Sequence, residues 1–222
     1  MPPYEARIVQ VQHNVRTWFV LVFCMLVFLP IRQITNWISP NLNTQAAIVR
    51  ESLILGSAIL LLLYIRQVEK LPFSSVGLGT SVWWKSIVWG LITGILCGAA
   101  AGVIVYATKY TGGPHAHEME RLPLWLVVVI VFRAGFVEEL FYRGFAIERL
   151  HSMGWRSGSA ALFPLTIFSL LHYTGGAVNI VLAFVLGGIL ALFYLWRRDL
   201  VANISAHFLV DFVANVLPRL AH

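Results

Sequence analysis

Charged residues are scarce in this chain of 222 residues, and long polar stretches are missing. Asp, Glu, Lys and Arg make up 12% of the sequence, whereas hydrophobic residues make up 59%. The mean hydropathy is +0.78, and a water-soluble domain of this length could not bury so much apolar surface. The composition therefore excludes an ordinary soluble enzyme and predicts an integral membrane protein.

Cysteine is also nearly absent, and the basic residues form no cluster. Cys24 and Cys97 stand alone in apolar stretches, so neither a disulfide framework nor a cysteine-based metal site is expected. His115 and His117 could hold a metal, but their polar loop favours two solvated side chains. The formal charge of +6 is scattered between apolar runs, as is typical of residues that set membrane topology. We therefore expect the lipid bilayer, and not nucleic acid, as a partner.

Seven apolar stretches predict the fold. Most have about the length that a helix needs to cross a bilayer, although the fifth and the seventh are short. They lie at residues 17–38, 46–65, 83–107, 123–148, 159–173, 177–196 and 199–217. We predict an all-α, polytopic bundle of about seven to eight transmembrane helices with a polar cavity inside the membrane. No repeat or long linker divides residues 1–222, so they are expected to form a single domain.

The charges of the connecting loops predict the orientation of the chain. With a cytoplasmic N-terminus, more Lys and Arg residues fall on the cytoplasmic side than on the opposite side, as membrane proteins prefer. We therefore expect a cytoplasmic N-terminus, in a membrane that we take to be the cytoplasmic membrane of a prokaryote.

Three ionisable residues interrupt the fourth apolar stretch. Glu138, Glu139 and Arg143 occur in the sequence Phe-Val-Glu-Glu-Leu-Phe-Tyr-Arg that ends at Arg143, and ionisable groups inside a bilayer are costly unless they pair or function. Glu139 and Arg143 share one helical face and are expected to pair. Such a pair could also be purely structural, joining two helices.

Glu138 is expected to differ from its neighbour. It points about 100° away from Glu139 around a helix, so the predicted pair leaves Glu138 without a fixed counter-charge. A carboxylate in that setting holds a proton more readily, which suits a general base acting on water. Arg133 is expected to share the face of neither glutamate, and to pair elsewhere or extend towards the membrane surface.

Further polar residues lie at a comparable depth. His172 ends the segment Phe168-Ser-Leu-Leu-His172, and His207 and Asp211 are four residues apart in the last apolar stretch. At about 1.5 Å per residue, these side chains reach the level of Glu138, which predicts a shared polar cavity near the middle of the membrane. Taken singly, the histidines could instead be a helix-end hydrogen bonder and an interhelical polar clamp.

Together these residues carry a family resemblance. The patterns Glu-Glu-x-x-x-Arg from Glu138, Phe-x-x-x-His from Phe168 and His-x-x-x-Asp from His207 resemble the three-motif signature of the CPBP family, also called the Abi family. Its members are CAAX proteases and bacteriocin-processing membrane endopeptidases. The resemblance covers a core at residues 123–217, and the first three apolar stretches match only as generic membrane segments. It implies an intramembrane endopeptidase acting on a membrane-associated protein or peptide.

The resemblance also implies roles in the first two motifs. Glu138 would be the base that activates the hydrolytic water, and His172 would help to hold or polarise that water. Glu139 and Arg143 would position the base. Phe168 is expected to contact the substrate.

The third motif would act on the scissile carbonyl group. The resemblance implies that His207 and Asp211 contact this carbonyl and its developing oxyanion. Many family members have Asn at the last position, and an ionised Asp cannot donate a hydrogen bond to an oxyanion. Asp211 must therefore be protonated, or act by orienting His207.

No cofactor is expected, but a zinc site is the alternative. His172 and His207 with Glu138 or Asp211 could supply two imidazoles and one carboxylate. A haem held between the two histidines is also conceivable. The sequence contains no HExxH helix, and the resemblance favours a glutamate-based mechanism without a metal.

Two functions from other classes stay open. A proton-coupled transporter component could use the same acids and histidines as a relay, although no inverted repeat supports that scaffold. A catalytically silent membrane adaptor or immunity factor could share the protease fold. The sequence defines neither the substrate nor the oligomeric state.

Overall fold

The computed structural model describes residues 15–39, 43–79, 82–113 and 119–220. Within these residues the chain is helical and contains no strand, so the all-α prediction is confirmed. His115 and His117 lie outside the described residues. The helices are α1 Val15–Leu26, α2 Phe28–Ile38, α3 Thr44–Leu63, α4 Trp83–Thr108, α5 Leu124–Glu138, α6 Glu148–Ser152, α7 Ser157–Leu170, α8 Ala177–Arg197, α9 Leu200–Asn215 and α10 Leu217–Leu220.

Two π-helical segments extend these helices. Tyr64–Val68 continues α3, and Glu139–Ile147 joins α5 to α6 in one unbroken helical run. Short 3-10 turns lie at Phe73–Val76 and Tyr173–Gly175. The run from α5 to α6 is the central element, because it contacts α3, α7 and α9.

The number of predicted membrane spans is not confirmed. Among the described residues, three helical segments are long and apolar enough to cross a membrane, namely Thr44–Val68, Trp83–Thr108 and Ala177–Arg197. A fourth span results if α1 and α2, bent by 48°, count as one. The sequence prediction also counted α7 and α9, but these helices have only 14 and 16 residues. A bilayer needs about 20 residues of helix.

The outer faces of the long helices are apolar. Ile95 and Val103 on α4 and Leu192 on α8 are each about 70% exposed. Exposed apolar faces of this extent suit contact with lipid rather than with water.

Small residues bring α9 close to its neighbours. Gly90 on α4 lies against α9, where an added Cβ would stand 2.5 Å from the Cβ of Ser205 and 2.7 Å from the carbonyl oxygen of Ala202. Gly135 on α5 is similarly close to the backbone of α9, at 3.2 Å from the carbonyl oxygen of Ile204. Small residues at such contacts allow backbones to approach within a membrane. This packing places the later half of α9, with His207 and Asp211, against the central run.

We predict that Gly90→Ala destabilises the protein, although Ala is the better helix former by about 1 kcal/mol. The new methyl group would overlap α9, and overpacking costs about 1–3 kcal/mol. Thermal unfolding in detergent measures the effect. Gly98→Ala is the matched control on the same helix, because a Cβ there meets nothing within 4 Å. Equal melting temperatures for the two variants would contradict this account of the α4–α9 contact.

Candidate active site

The carboxylate of Glu139 is the centre of the polar cluster. Glu139 is fully buried and receives a hydrogen bond of 2.9 Å from Nη1 of Arg143, as the spacing of the two residues predicted. Nδ2 of Asn203 donates to its second oxygen at 3.0 Å. Nδ1 of His207 lies 2.8 Å from its first oxygen. The buried negative charge is thus balanced by one cation and supported by two more polar side chains.

Arg143 is held in place from several sides. Its Nη2 donates to the carbonyl oxygen of Gly187 at 3.1 Å, and its guanidinium lies 4.6 Å above the ring centre of Phe168. A Cβ at position 187 would stand 2.7 Å from Nη2, so the close approach requires glycine. The Arg143 guanidinium therefore links the central run to α7 and α8.

Residues 123–148 were predicted as one helical stretch with α-helical spacing, but the α-helix ends at Glu138. The π-helical segment begins at Glu139, directly after Glu138. Such segments are often found at functional sites. The apolar pattern of Leu140 and Phe141 does not distinguish a π-helix from an α-helix.

Glu138 borders a cavity and has one charged neighbour on its own helix. Its side chain is 15% exposed. Nη1 of Arg133 donates to one carboxylate oxygen at 3.4 Å, and Nε2 of His207 lies 4.0 Å from the other. The expectation that Glu138 lacks a fixed counter-charge is therefore wrong, because the long side chain of Arg133 reaches it across five residues although the two do not share a helical face. Arg133 does also pair elsewhere, since its Nε donates to Glu51 on α3.

His207 has a defined orientation. Because the Glu139 carboxylate can only accept, Nδ1 of His207 carries the hydrogen of their shared bond. Its Nε2 therefore faces the two more exposed acids, at 3.5 Å from Oδ2 of Asp211 and 4.0 Å from Glu138. Glu139 thus contacts His207 directly, whereas the resemblance had implied that it positions Glu138.

His172 lies at the end of α7, where the chain turns towards α8. Its Nδ1 is 2.8 Å from the carbonyl oxygen of Phe168, which identifies Nδ1 as the donor nitrogen and leaves Nε2 as the acceptor. Nδ2 of Asn179 donates to the carbonyl oxygen of His172 at 3.1 Å. Both bonds fix the ring and the turn that carries it. Phe168, predicted to contact a substrate, packs 4.6 Å from the His172 ring.

Two adjoining cavities lie where a single shared polar cavity was predicted. A cavity of about 570 Å³ is lined by His207 and Asp211 together with apolar residues of α4 and α8. A second cavity, of about 350 Å³, is lined by Glu138. Phe168, His172 and Asn179 line both. These three residues form the boundary between the cavities, with the candidate base on one side and the third motif on the other.

The zinc alternative would need His172, His207 and a carboxylate to converge on one point. In the described part of the chain, no three His, Cys, Asp or Glu side chains are grouped as a metal site requires. Both histidines use Nδ1 for a protein hydrogen bond, His207 to Glu139 and His172 to the Phe168 carbonyl, and keep Nε2 available. Histidines that bind metals commonly have such bonds at the other nitrogen, so these bonds do not argue against zinc.

Sequence reasoning missed three polar residues of the site. Asn203 lies four residues before His207, and this spacing could have been noticed because it extends the stripe formed with Asp211. Glu51 carries no local signal, since its partner Arg133 is 82 residues away. Asn179 also carries no local signal, because its side chain supports the turn by donating to the backbone carbonyl oxygen of His172.

Comparison with known proteins finds a family similarity in the C-terminal part of the chain. Residues 120–213 match the family model described as type II CAAX prenyl endopeptidase Rce1-like. The match covers less than half of the chain and supports the resemblance of the three motifs to the CPBP family of CAAX proteases. No curated protein and no solved structure matches the chain. The matched residues contain all three motifs and Asn203, whereas Glu51 precedes them. Together with the apolar helices, the match identifies an integral membrane protein.

We predict that Gly187→Ala displaces Arg143 and lowers both stability and any activity of the site. A methyl group at this position cannot coexist with Nη2 of Arg143, and disturbing a buried ion pair costs up to about 3–5 kcal/mol. Thermal unfolding in detergent measures the loss. Gly188→Ala is the control, because its nearest neighbour would be an ordinary contact at 3.7 Å. If both variants unfold at the parent's temperature, Arg143 is not confined as described.

Proposed function

We propose that the protein is an intramembrane endopeptidase that hydrolyses a peptide bond of a membrane-associated protein, using a water molecule activated by Glu138. The observation that carries the proposal is the difference in environment between the two adjacent glutamates. Glu139 is fully buried and has bonds to both oxygens. Glu138 borders a cavity, so it is the glutamate that water can reach. The CAAX-protease match supports the reaction class.

The proposed reaction is a general-base hydrolysis. The Glu138 carboxylate takes a proton from water, and the resulting hydroxide oxygen bonds to the carbonyl carbon of the scissile peptide. The tetrahedral intermediate then collapses, the carbon–nitrogen bond breaks, and Glu138 returns its proton to the leaving amine. The products are one carboxylic acid and one amine, so one water molecule is consumed.

His172 and His207 would assist at different atoms. The acceptor Nε2 of His172 can hold the attacking water. Nε2 of His207 can donate to the oxyanion when the ring carries hydrogens on both nitrogens, a state that the nearby carboxylates of Glu139 and Asp211 stabilise. At 3.5 Å from Nε2, the Asp211 carboxylate would stabilise the doubly protonated His207 ring rather than donate to the oxyanion itself.

We also propose that the reaction proceeds without a metal and that the N-terminus is cytoplasmic. The first part rests on the carboxylate-based reaction above, which needs no Lewis acid. The second part rests on the distribution of Lys and Arg between the loops.

Glu138→Gln is expected to abolish cleavage while the protein stays folded. Gln keeps the shape of the side chain but cannot take a proton, and loss of a general base typically lowers the rate about 10²–10⁴-fold. Comparison of protein termini in cells with the parent or the variant identifies substrates, and cleavage of a matching peptide in detergent then measures the rate. The melting temperature is the control for folding. Parent-like cleavage by the variant would refute the base assignment, and cleavage in detergent would exclude a transporter.

Metal removal is expected to leave cleavage unchanged. Exhaustive treatment of the purified protein with a strong chelator should preserve the rate, and elemental analysis should find far less than one zinc ion per chain. Loss of the rate on chelation, followed by recovery on adding Zn²⁺, would show that a metal supplies the chemistry.

A further inference from the structure

The cavity beside Glu138 is unusually rich in arginine. Arg32 from α2, Arg50 from α3 and Arg133 from α5 all line this space of about 350 Å³. Within the described residues, Glu138 is the acidic residue of its lining, and Glu51 lies directly behind it. Three arginines and two glutamates thus lie at this cavity, an excess of one positive charge, and Arg32 is the exposed member of the group.

The two carboxylates are already engaged by two of the arginines. Glu51, only 3% exposed, accepts from Nε of Arg133 and, at 3.0 Å, from Nε of Arg50. Glu138 accepts from Nη1 of Arg133 at 3.4 Å. These contacts balance Arg50 and Arg133 but do not include the third arginine.

Arg32 carries the excess charge. Over the described part of the chain, its guanidinium makes no hydrogen bond and no ion pair, and its contact is with the ring of Tyr173, 5.9 Å from the ring centre. Arginine stays charged in proteins and presents five N–H donors in a planar fork. This fork matches the two oxygens of a carboxylate, and such paired bonds are among the stronger ones in proteins.

We propose that this cavity is a carboxylate-binding subsite, in which Arg32 and Arg50 hold a carboxylate of the peptide substrate. The proposal rests on the proposed peptidase function and adds the chemical group that the substrate must present. A monoanionic group suits an excess of one positive charge. The carboxylate can come from the C-terminus of the substrate or from an Asp or Glu side chain.

The position of the subsite relative to the reacting groups supports this role. His172 and Asn179 line both cavities, so a peptide that extends from the 570 Å³ cavity into the arginine-lined cavity passes His172 and Glu138. A carboxylate anchored at Arg32 would fix which peptide bond lies at Glu138. Arg32, Arg50 and Glu51 all precede the matched residues 120–213, so the subsite is a feature of this chain beyond the matched segment.

The test compares the binding of three short peptides to the full-length protein in detergent. The first is N-acetyl-Val-Leu-Ala with a free C-terminal carboxylate, and the second is the same peptide as its C-terminal amide. The third, N-acetyl-Glu-Leu-Ala amide, carries the carboxylate on a side chain instead. We expect the first to bind at least about tenfold more tightly than the second, as for one charge-assisted hydrogen bond. The third peptide shows which carboxylate the subsite accepts. If it binds tightly, the subsite also accepts a side-chain carboxylate, and if it binds weakly, the subsite is specific for the C-terminal carboxylate.

Arg32→Gln is expected to reduce the ratio of acid to amide affinity to below about threefold, because it removes the cation but keeps a polar side chain. Arg50→Gln provides a second variant that should act in the same direction. Arg197→Gln is the matched control, since Arg197 also lies over an aromatic ring, at 4.9 Å from that of Trp89, but lines neither cavity. It should keep the parent's ratio.

Equal affinity of the parent for acid and amide, or an unchanged ratio in Arg32→Gln, would overturn the subsite. Competition by phosphatidylglycerol vesicles that abolishes the acid preference, with no effect from phosphatidylcholine vesicles, would assign the cavity to a lipid phosphate instead and also overturn it. Binding is measured separately from cleavage. If the parent prefers the acid over the amide but cleaves no peptide, only the peptidase function is contradicted. If the protein cleaves peptides but binds acid and amide equally, only the subsite is contradicted.

Discussion

The burial of one carboxylate, that of Glu139, sets the geometry of the whole site. A buried negative charge is tolerated only when donors surround it, and here the donors come from the central run and from α9. Asn203 in turn donates to the carbonyl oxygen of Leu190 on α8 at 3.0 Å. Any movement of these helices would leave the charge without partners, so the ion pair fixes their positions and the ring of His207 together.

The same principle operates at other levels of the central run. Near its start, Arg133 pairs with Glu51 of α3. Near its end, Glu148 pairs with Arg198, and Arg149 binds Glu69 at 2.6 Å. In a bilayer, lipid tails are as apolar as the side chains that they replace, so apolar burial alone does not select which helices meet. Specific ion pairs along one element supply that selection.

The parts of the site that depend on local spacing were predictable, and those that depend on distant contacts were not. Glu139 and Arg143 are four residues apart, so their pairing follows from helix geometry. The partner of Arg133 is 82 residues away, beyond any local pattern. The number of spans is not confirmed, because hydropathy does not separate a 14-residue apolar helix such as α7 from a full span. The π-helical turns were missed because they change hydrogen bonding without changing the apolar pattern.

The π-helical segment Glu139–Ile147 has a consequence for how this part of the gene can diverge. Each of its hydrogen bonds spans one residue more than in an α-helix, so deletion of a single residue would allow the backbone to return to α-helical geometry. That change would rotate Arg143 away from Gly187. It would also change the angle about the helix axis between the side chains of Glu138 and Glu148. Substitution of one apolar residue by another is tolerated far better than this rotation. The geometry of the site therefore depends more on the number of residues in this segment than on the identity of its apolar side chains.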